Sequence, residues 1–255
     1  MKFLNRINKT LYPVILKLQP VNLRLYWTSM KLLSLINQHF TKQECDTKSS
    51  VYIHMAVYNG AEFIAQAIQS IIDQKHQNWK LEIINDGSND STYKIISTFL
   101  DPRIVCINMS KNEGLWNARN LGRTRALDDA NWEYFTTIDA DDFASPNWLS
   151  RNISLMSKSH AYAIRPINKR INVEGDFQYS YPACDQTFWS KRALNQLGLM
   201  ETRQGANDSR YMKRAETMAC LNRECILLSL SDNHSMRIHD NNHSMRAPDN
   251  NTSAD

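Results

Sequence analysis

Long apolar runs are missing from this 255-residue chain. No stretch reaches the roughly 20 apolar residues that a membrane-spanning helix needs. The short run after the opening MKFLNRINK is broken by Lys17 and Pro20, so export through a cleavable leader is not expected. Cysteine is sparse: Cys45, Cys106, Cys184, Cys220 and Cys225 are odd in number, widely spaced and never form a CxxC. That pattern excludes a zinc knuckle and a disulfide framework and leaves reduced, structural thiols in a cytoplasmic protein as the expectation. No G-x-S-x-G occurs, so nothing supports a serine nucleophile with its triad. The acidic run at 139–142 lacks the glycine and the terminal glutamate of an EF-hand.

What is present suits one large domain. Hydrophobic residues make up 42% of the chain and charged residues 22%, enough to bury a substantial core. The net charge of +4 is unevenly spread. Residues 1–50 carry eight basic and two acidic side chains, +6 in all, so the remainder is slightly acidic at −2. A basic leader of this kind suits anionic lipid headgroups; a helical arm packed on the domain or on a partner subunit is the competing reading. Nucleic acid is not expected as a partner, because the body carries no basic stripe. Leu25, Met30, Leu32, Leu33, Leu35 and Ile36 are expected to line one face of a helix running to about Phe40. The domain boundaries read as a basic helical leader and linker at 1–50, one α/β domain at 51–240 and a flexible tail at 241–255.

From Val51 apolar runs alternate with amphipathic segments. Strands are expected at 51–57, 81–84, 103–108 and 133–138, with helices at 61–74, near 91–99 and at 116–127. This spacing implies βαβ units and a mostly parallel central sheet flanked by helices, with ligands at the carboxyl ends of the strands. The second half is less regular. Short strands are expected near 161–165, 177–181 and 225–231, and helices near 190–197 and 208–219.

Polar clusters follow the apolar runs. Asn59-Gly60 after the first strand reads as a turn. In Asn85-Asp86-Gly87-Ser88-Asn89-Asp90-Ser91-Thr92, turn and cap roles account for the residues from Gly87 onward. They leave Asp86 at the ligand edge of the sheet, able to accept a hydrogen bond from a base N–H. Arg119, in the first turns of the helix after Asn112-Glu113-Gly114, opposes the helix dipole and calls for an anionic neighbour. Asp139, Asp141 and Asp142 repel one another unless a cation or donors neutralise them. Hard oxygens of that kind suit Mg²⁺ or Mn²⁺, and the plainer alternative is an acidic turn capping the helix near Pro146–Leu149.

Together these clusters resemble family 2 glycosyltransferases, inverting enzymes of the GT-A fold. The matching residues are Val57-Tyr58-Asn59-Gly60, the run from Asn85 to Thr92, Asn112 and Gly114 with Ala118-Arg119-Asn120, and Asp139 to Asp142. The match resumes at Trp189-Ser190-Lys191-Arg192, Leu197-Gly198, Gly205-Ala206-Asn207-Asp208 and Arg214. The resemblance implies that Ala56 and Tyr58 lie against the nucleotide base, that Asp86 binds the base edge, typically uracil, and that Arg119 lies near the nucleotide pocket. It implies Asp139 facing the ribose or sugar, Asp141 holding a divalent metal with Asp142 a close competitor, and Asp208 as catalytic base. Arg237 and His239 match a late segment that closes over the diphosphate, with His239 a further metal ligand. Two positions depart from the pattern. Asn207 stands where many relatives have Glu, which removes a like charge and is expected to lower the pKa of Asp208 relative to theirs. Ala56 stands where Pro or Thr is frequent.

The implied activity is metal-dependent transfer of a sugar from a nucleotide-diphosphate sugar, a UDP-sugar by the resemblance, to a saccharide or lipid-linked acceptor in surface polysaccharide synthesis. It would take place in the cytoplasm, with the inner face of the membrane as an option. An inverting transfer needs a base for the acceptor hydroxyl and a cation for the departing diphosphate. A nucleotidyltransferase shares the carboxylate–metal logic but wants a basic, glycine-rich loop where this chain reads AVYNGAEF. A catalytically silent module that binds sugar nucleotides is the remaining alternative.

Overall fold

A computed structural model describes residues 2–17, 23–40, 47–171, 177–182, 186–202, 207–222, 224–229 and 234–237. Two helices come first, α1 (Lys2–Leu16) and α2 (Leu23–Phe40). The alternating half then runs β1 (Val51–Val57), α3 (Ile64–Ile72), β2 (Trp79–Asn85), α4 (Thr92–Ile96), β3 (Ile104–Asn108), α5 (Leu115–Asp128) and β4 (Tyr134–Thr137). The later half contains β5 (Phe143–Ala144), α6 (Trp148–Ser159), β6 (Ala163–Ile171), β7 (Phe177–Pro182), β8 (Phe188–Ser190), α7 (Lys191–Leu197), α8 (Asn207–Leu221), β9 (Ile226–Ser229) and β10 (His234–Arg237).

The sheet order is β3-β2-β1-β4-β8-β6-β10-β5, with β7 and β9 also pairing to β6. β3, β2, β1 and β4 run parallel to their neighbours. β1 sits between β2 and β4, and its sequence VYIHMAV is buried at nearly every position, as a strand covered on both faces requires. α3 meets the sheet through Ile64, Ala67, Ile68 and Ile71, the i, i+3, i+4, i+7 stripe of an amphipathic helix.

α5 is different. Its buried face is Ala118, Arg119, Gly122, Arg123 and Ala126, so the helix closes on β1 with small residues and two arginines. Gly122 allows the approach: a Cβ there would overlap the ring of His54 on β1. His54 is fully buried. Burial, with Arg123 and Arg119 adding repulsion, pushes its pKa down to about 3 and keeps the ring neutral.

The second half is mixed. β8 lies antiparallel to both β4 and β6. β6 changes partners along its length, pairing β8 and β9 through residues 163–166 and β7 and β10 through 167–171. Pro166, which has no N–H to donate, stands at the end of the first set, where a missing ladder bond costs least. β5, β8 and β10 were not expected from the sequence. They are two to four residues long, too short to show a period of two. The helix expected near Pro146–Leu149 starts at Trp148 and continues to Ser159.

The leader also differs from expectation. α1 and α2 pack on each other, and α2 packs on β9. The six apolar residues expected on one face are divided. Met30 and Leu33 are buried, whereas Leu25, Leu32 and Leu35 are more than half exposed. Ser34 explains the division. Its hydroxyl is buried and accepts the Leu228 N–H of β9 at 2.7 Å, which turns the Met30–Leu33–Ser34 side inward. Among the described residues, no helix is long and apolar enough to cross a membrane. The expected tail at 241–255 lies outside the described residues.

Candidate functional site

The loops leaving β1 and β2 are stitched to each other. The Asn59 N–H donates to Ser88 Oγ (2.9 Å), the Gly60 N–H to Thr92 Oγ1 (2.8 Å) and the Ala61 N–H to Asp90 Oδ2 (3.2 Å). In return the Asn89 N–H donates to Asn59 Oδ1 at 3.0 Å. Asn59 holds a left-handed conformation, φ 51°, which asparagine tolerates better than most residues. Asp90 also receives the Thr92 N–H at 2.9 Å. Partial burial pushes its carboxyl up, but the Thr92 and Ala61 donors outweigh this and hold it below the ordinary value. Most of the run from Ser88 to Thr92 is thereby accounted for as scaffold. Gly87, φ 67°, is required because a Cβ would overlap the backbone of Lys111 and Asn112.

Asp86 is 2% exposed. Its carboxylate accepts the N–H groups of Glu113 (2.8 Å) and Gly114 (2.9 Å), the donors that open α5. Its side chain thus fixes where α5 begins, a positioning task that precedes any contact with a base. Ala56 is half-buried near the end of β1, and Tyr58 beyond it is 49% exposed. Both stand at the carboxyl edge of the sheet beside this stitched turn.

From that start, α5 carries Arg119 one turn onward into the deepest part of the site. Arg119 is 4% exposed and lies over the Trp116 ring, 5.2 Å from its centroid. One terminal nitrogen meets Asp139 Oδ1 at 2.6 Å, and the other meets Asp208 Oδ1 at 3.2 Å. The anionic neighbour that Arg119 called for is therefore a pair of carboxylates: one follows β4 and the other stands in the first turn of α8. Asp139, Asp141 and Asp142 each offer an oxygen within 4.8 Å of the others. Gln186 Nε2 donates to Asp142 Oδ2 at 3.1 Å and reaches Asp139 Oδ2 at 3.4 Å. Three carboxylates converging this closely form a hard-oxygen donor set of the kind that Mg²⁺ and Mn²⁺ take.

Asp208 has its pKa raised. Burial is the largest cause and nearby Asp139 adds to it, against the opposing charges of Arg119 and Arg123. The missing acidic side chain at Asn207 was expected to favour a lower value relative to relatives; relative to a free aspartate, burial sets the sign. Arg123 was not singled out from the sequence. It is 2% exposed, its guanidinium lies between the rings of Tyr211 (4.7 Å) and Phe135 (5.3 Å), and it adds positive charge behind Asp208. Its i+4 spacing from Arg119 was the available signal. Gln186 gave none, since it stands in an aperiodic stretch. Arg237 ends β10, opposite Ile171 of β6; its side chain, and His239 altogether, lie outside the described residues.

Residues 52–215 match a family model described as "Glycosyl transferase family 2". An uncharacterized glycosyltransferase of Haemophilus influenzae is 34% identical over 111 residues, 43% of this chain and 33% of that protein. TuaG of Bacillus subtilis, named for teichuronic acid biosynthesis, is 30% identical over 109 residues, 42% of each chain. The chain thus spans under half the length of these curated relatives. Among solved structures, S. aureus TarS in complex with UDP-GlcNAc superposes with a TM-score of 0.65 at 18% identity, covering 78% of this chain and 61% of that one. The mannosyltransferase PcManGT from Pyrobaculum calidifontis, in complex with GDP-Man and Mn²⁺, gives 0.59 at 15% identity, covering 85% and 66%. At these identities the likeness shows the GT-A fold.

Proposed function

We propose that this chain, which belongs to glycosyl transferase family 2, is an inverting, metal-dependent enzyme that moves a sugar from a UDP-sugar to a saccharide or lipid-linked saccharide. The catalytic domain in this reading is 51–240. The observation that carries it is Arg119 bridging Asp139 and Asp208 beside the Asp139–Asp141–Asp142 cluster. Chemistry on a glycosyl diphosphate needs a cation grip and a base within one site, and the pairing of Asp139 and Asp208 with one arginine supports that reading.

Asp141, with Asp142 and Asp139, would hold a divalent cation. When bound, that ion supplies charge neutralisation for the departing diphosphate. Asp208 takes the proton from the acceptor hydroxyl as its oxygen attacks the anomeric carbon. Arg119 keeps the Asp208 carboxylate aimed and ionised while it also orients Asp139 toward the ribose or sugar. Ala56 and Tyr58 present a surface for the base. Asp86, already fixing α5 through Glu113 and Gly114, retains lone pairs that can take a uracil N–H. Arg237 and His239 remain the candidates for closing over the diphosphate. TarS, crystallised with UDP-GlcNAc, and TuaG, named for teichuronic acid biosynthesis, support the donor class and a role in surface polysaccharide synthesis.

The test is release of nucleoside diphosphate from a panel of nucleotide sugars with Mn²⁺ and soluble saccharide acceptors. One donor should be turned over. Asp208→Asn should cut the rate about 10²–10⁴-fold with donor affinity retained, and Asp141→Ala should weaken both donor binding and turnover. Donor binding without turnover by the unaltered chain would favour the silent module.

A further inference from the structure

Five of the eleven large hydrophobic side chains exposed among the described residues lie on the α1–α2 hairpin: Leu11 (41%), Val14 (58%), Leu25 (53%), Leu32 (59%) and Leu35 (53%). The other six are scattered over the body, where single exposed apolar residues are ordinary. On α2 the three leucines fall at i, i+7 and i+10. They make one stripe about 15 Å long at 1.5 Å per residue. Leu11 and Val14 form the matching i, i+3 pair on α1.

Incomplete packing of a loose arm does not account for this stripe, because the opposite side of the hairpin is well buried. Tyr12, Ile15, Met30 and Leu33 are at most 7% exposed, and Ser34 is hydrogen-bonded to the edge strand β9 at 2.7 Å. The hairpin is docked on the body by one face and presents leucine on the other. Charge decides what that outer face fits. Residues 1–40 contain Lys2, Arg6, Lys9, Lys17, Arg24 and Lys31 and no acidic residue at all. Arg6, Lys17 and Lys31 are exposed. Two copies of such a face would oppose like charges with no carboxylate between them. An anionic lipid surface supplies the missing negative charge and an apolar layer at the same depth.

We infer that the α1–α2 hairpin is an interfacial docking face for anionic lipid. The two helices lie in the headgroup plane, their outer leucines enter the acyl boundary, and Lys17 and Lys31 stand among the headgroups. Neither helix of the hairpin is long and apolar enough to span a bilayer, and the hairpin holds the domain at the membrane by surface contact. This role is independent of the donor and acceptor chemistry proposed above.

Flotation of the purified full chain with phosphatidylcholine vesicles, with and without phosphatidylglycerol, tests it. The chain should float only with the anionic vesicles. Leu32→Gln combined with Leu35→Gln should weaken vesicle affinity about tenfold or more, and Lys31→Glu about fivefold or more. All three positions are solvent-exposed, so the thermal melt and the soluble nucleoside-diphosphate assay should stay unchanged. Failure of that assay in the unaltered chain would count against the transferase reading and leave the docking face standing. Sedimentation of the unaltered chain away from anionic vesicles, or flotation indifferent to both variants, would overturn the inference. So would a dimer by light scattering that Leu32→Gln with Leu35→Gln dissociates, since the face would then belong to a second copy.

Discussion

The two halves of the sheet place their acids by different means. In the β1–β4 half, consecutive strands and helices alternate, and the loops that carry Asp86, Asp90 and Asn59 are hydrogen-bonded to their neighbours within about thirty residues. In the β6–β10 half, one long strand serves four partners in turn. Its contribution to the site, Asp208, arrives on α8 from 89 residues beyond its partner Arg119. The first half is a preformed cradle. The second brings the Asp208 carboxyl to it through the Arg119 clasp, beside the Arg123–Tyr211 and Asn120–Met200 contacts.

Breaking the clasp should give the largest effect. Arg119→Met leaves Asp139 and Asp208 facing each other with their shared counter-charge gone. Burying uncompensated charge is costly, and because both carboxylates keep about a quarter of their surface exposed, we expect a loss of about 2–3 kcal/mol in urea unfolding. If the two halves dock independently of this clasp, the loss will fall below about 1 kcal/mol, within the ordinary range for a point substitution, and the contrast drawn above fails.

Gly122→Ala probes the cradle instead. The added methyl must displace the buried His54 ring or push α5 off β1. Overpacking of this kind outweighs the gain in helix propensity, and a net cost of about 2 kcal/mol is expected. A stabilised variant would mean that α5 rests on the sheet more loosely than the geometry states.

The carboxyl proposed as base has its own signature. Asp208 must be ionised to accept a proton, and its folded pKa is raised, chiefly by burial. It therefore stays protonated to a higher pH than a free aspartate. kcat/KM should rise with pH through that raised value and fall about tenfold per pH unit below it. Asp139 contributes to the rise, so Asp139→Asn should move the Asp208 titration downward, as followed by carboxyl ¹³C shifts. An upward movement would show that Arg119, released from Asp139, no longer supports Asp208.

The same contrast explains what the sequence could disclose. β1 was legible to the residue, because seven apolar-rich positions bounded by polar turns admit few other readings, and the acid cluster at 139–142 was legible from local like-charge repulsion. β8 and β10 were not, since strands this short exist only through their long-range ladders to β4 and β6. The leader shows a third case: periodicity found the helix but placed Met30 and Leu32 on one side. The deciding fact, a serine hydroxyl bonded to an amide 194 residues away, is a tertiary contact that no local pattern encodes. Gln186 escaped for the same reason, since it reaches carboxylates distant in sequence; Arg123 offered only its i+4 spacing from Arg119.

The stitching of the cradle offers the smallest and sharpest test. Asp90 accepts N–H groups from Thr92 at the start of α4 and from Ala61 in the neighbouring loop. Asp90→Ala removes both acceptors; Asp90 itself is exposed, so water can reach the freed Ala61 N–H, whereas Thr92 is buried and its N–H gives up its partner. A loss of about 1 kcal/mol is expected. Asp90→Asn keeps an acceptor for one of the two and should recover roughly half of that loss. The pH profile decides whether ionisation matters. The two donors hold the Asp90 carboxyl below its ordinary value, so its contribution is present above the unfolded pKa and disappears as pH falls through the lower, folded one. The difference in stability between the unaltered chain and Asp90→Ala should therefore narrow toward strongly acidic pH. A difference that holds constant across that range would assign the effect to backbone conformation in the loop, and the two loops would then be neighbours held by their own turns without the carboxylate between them.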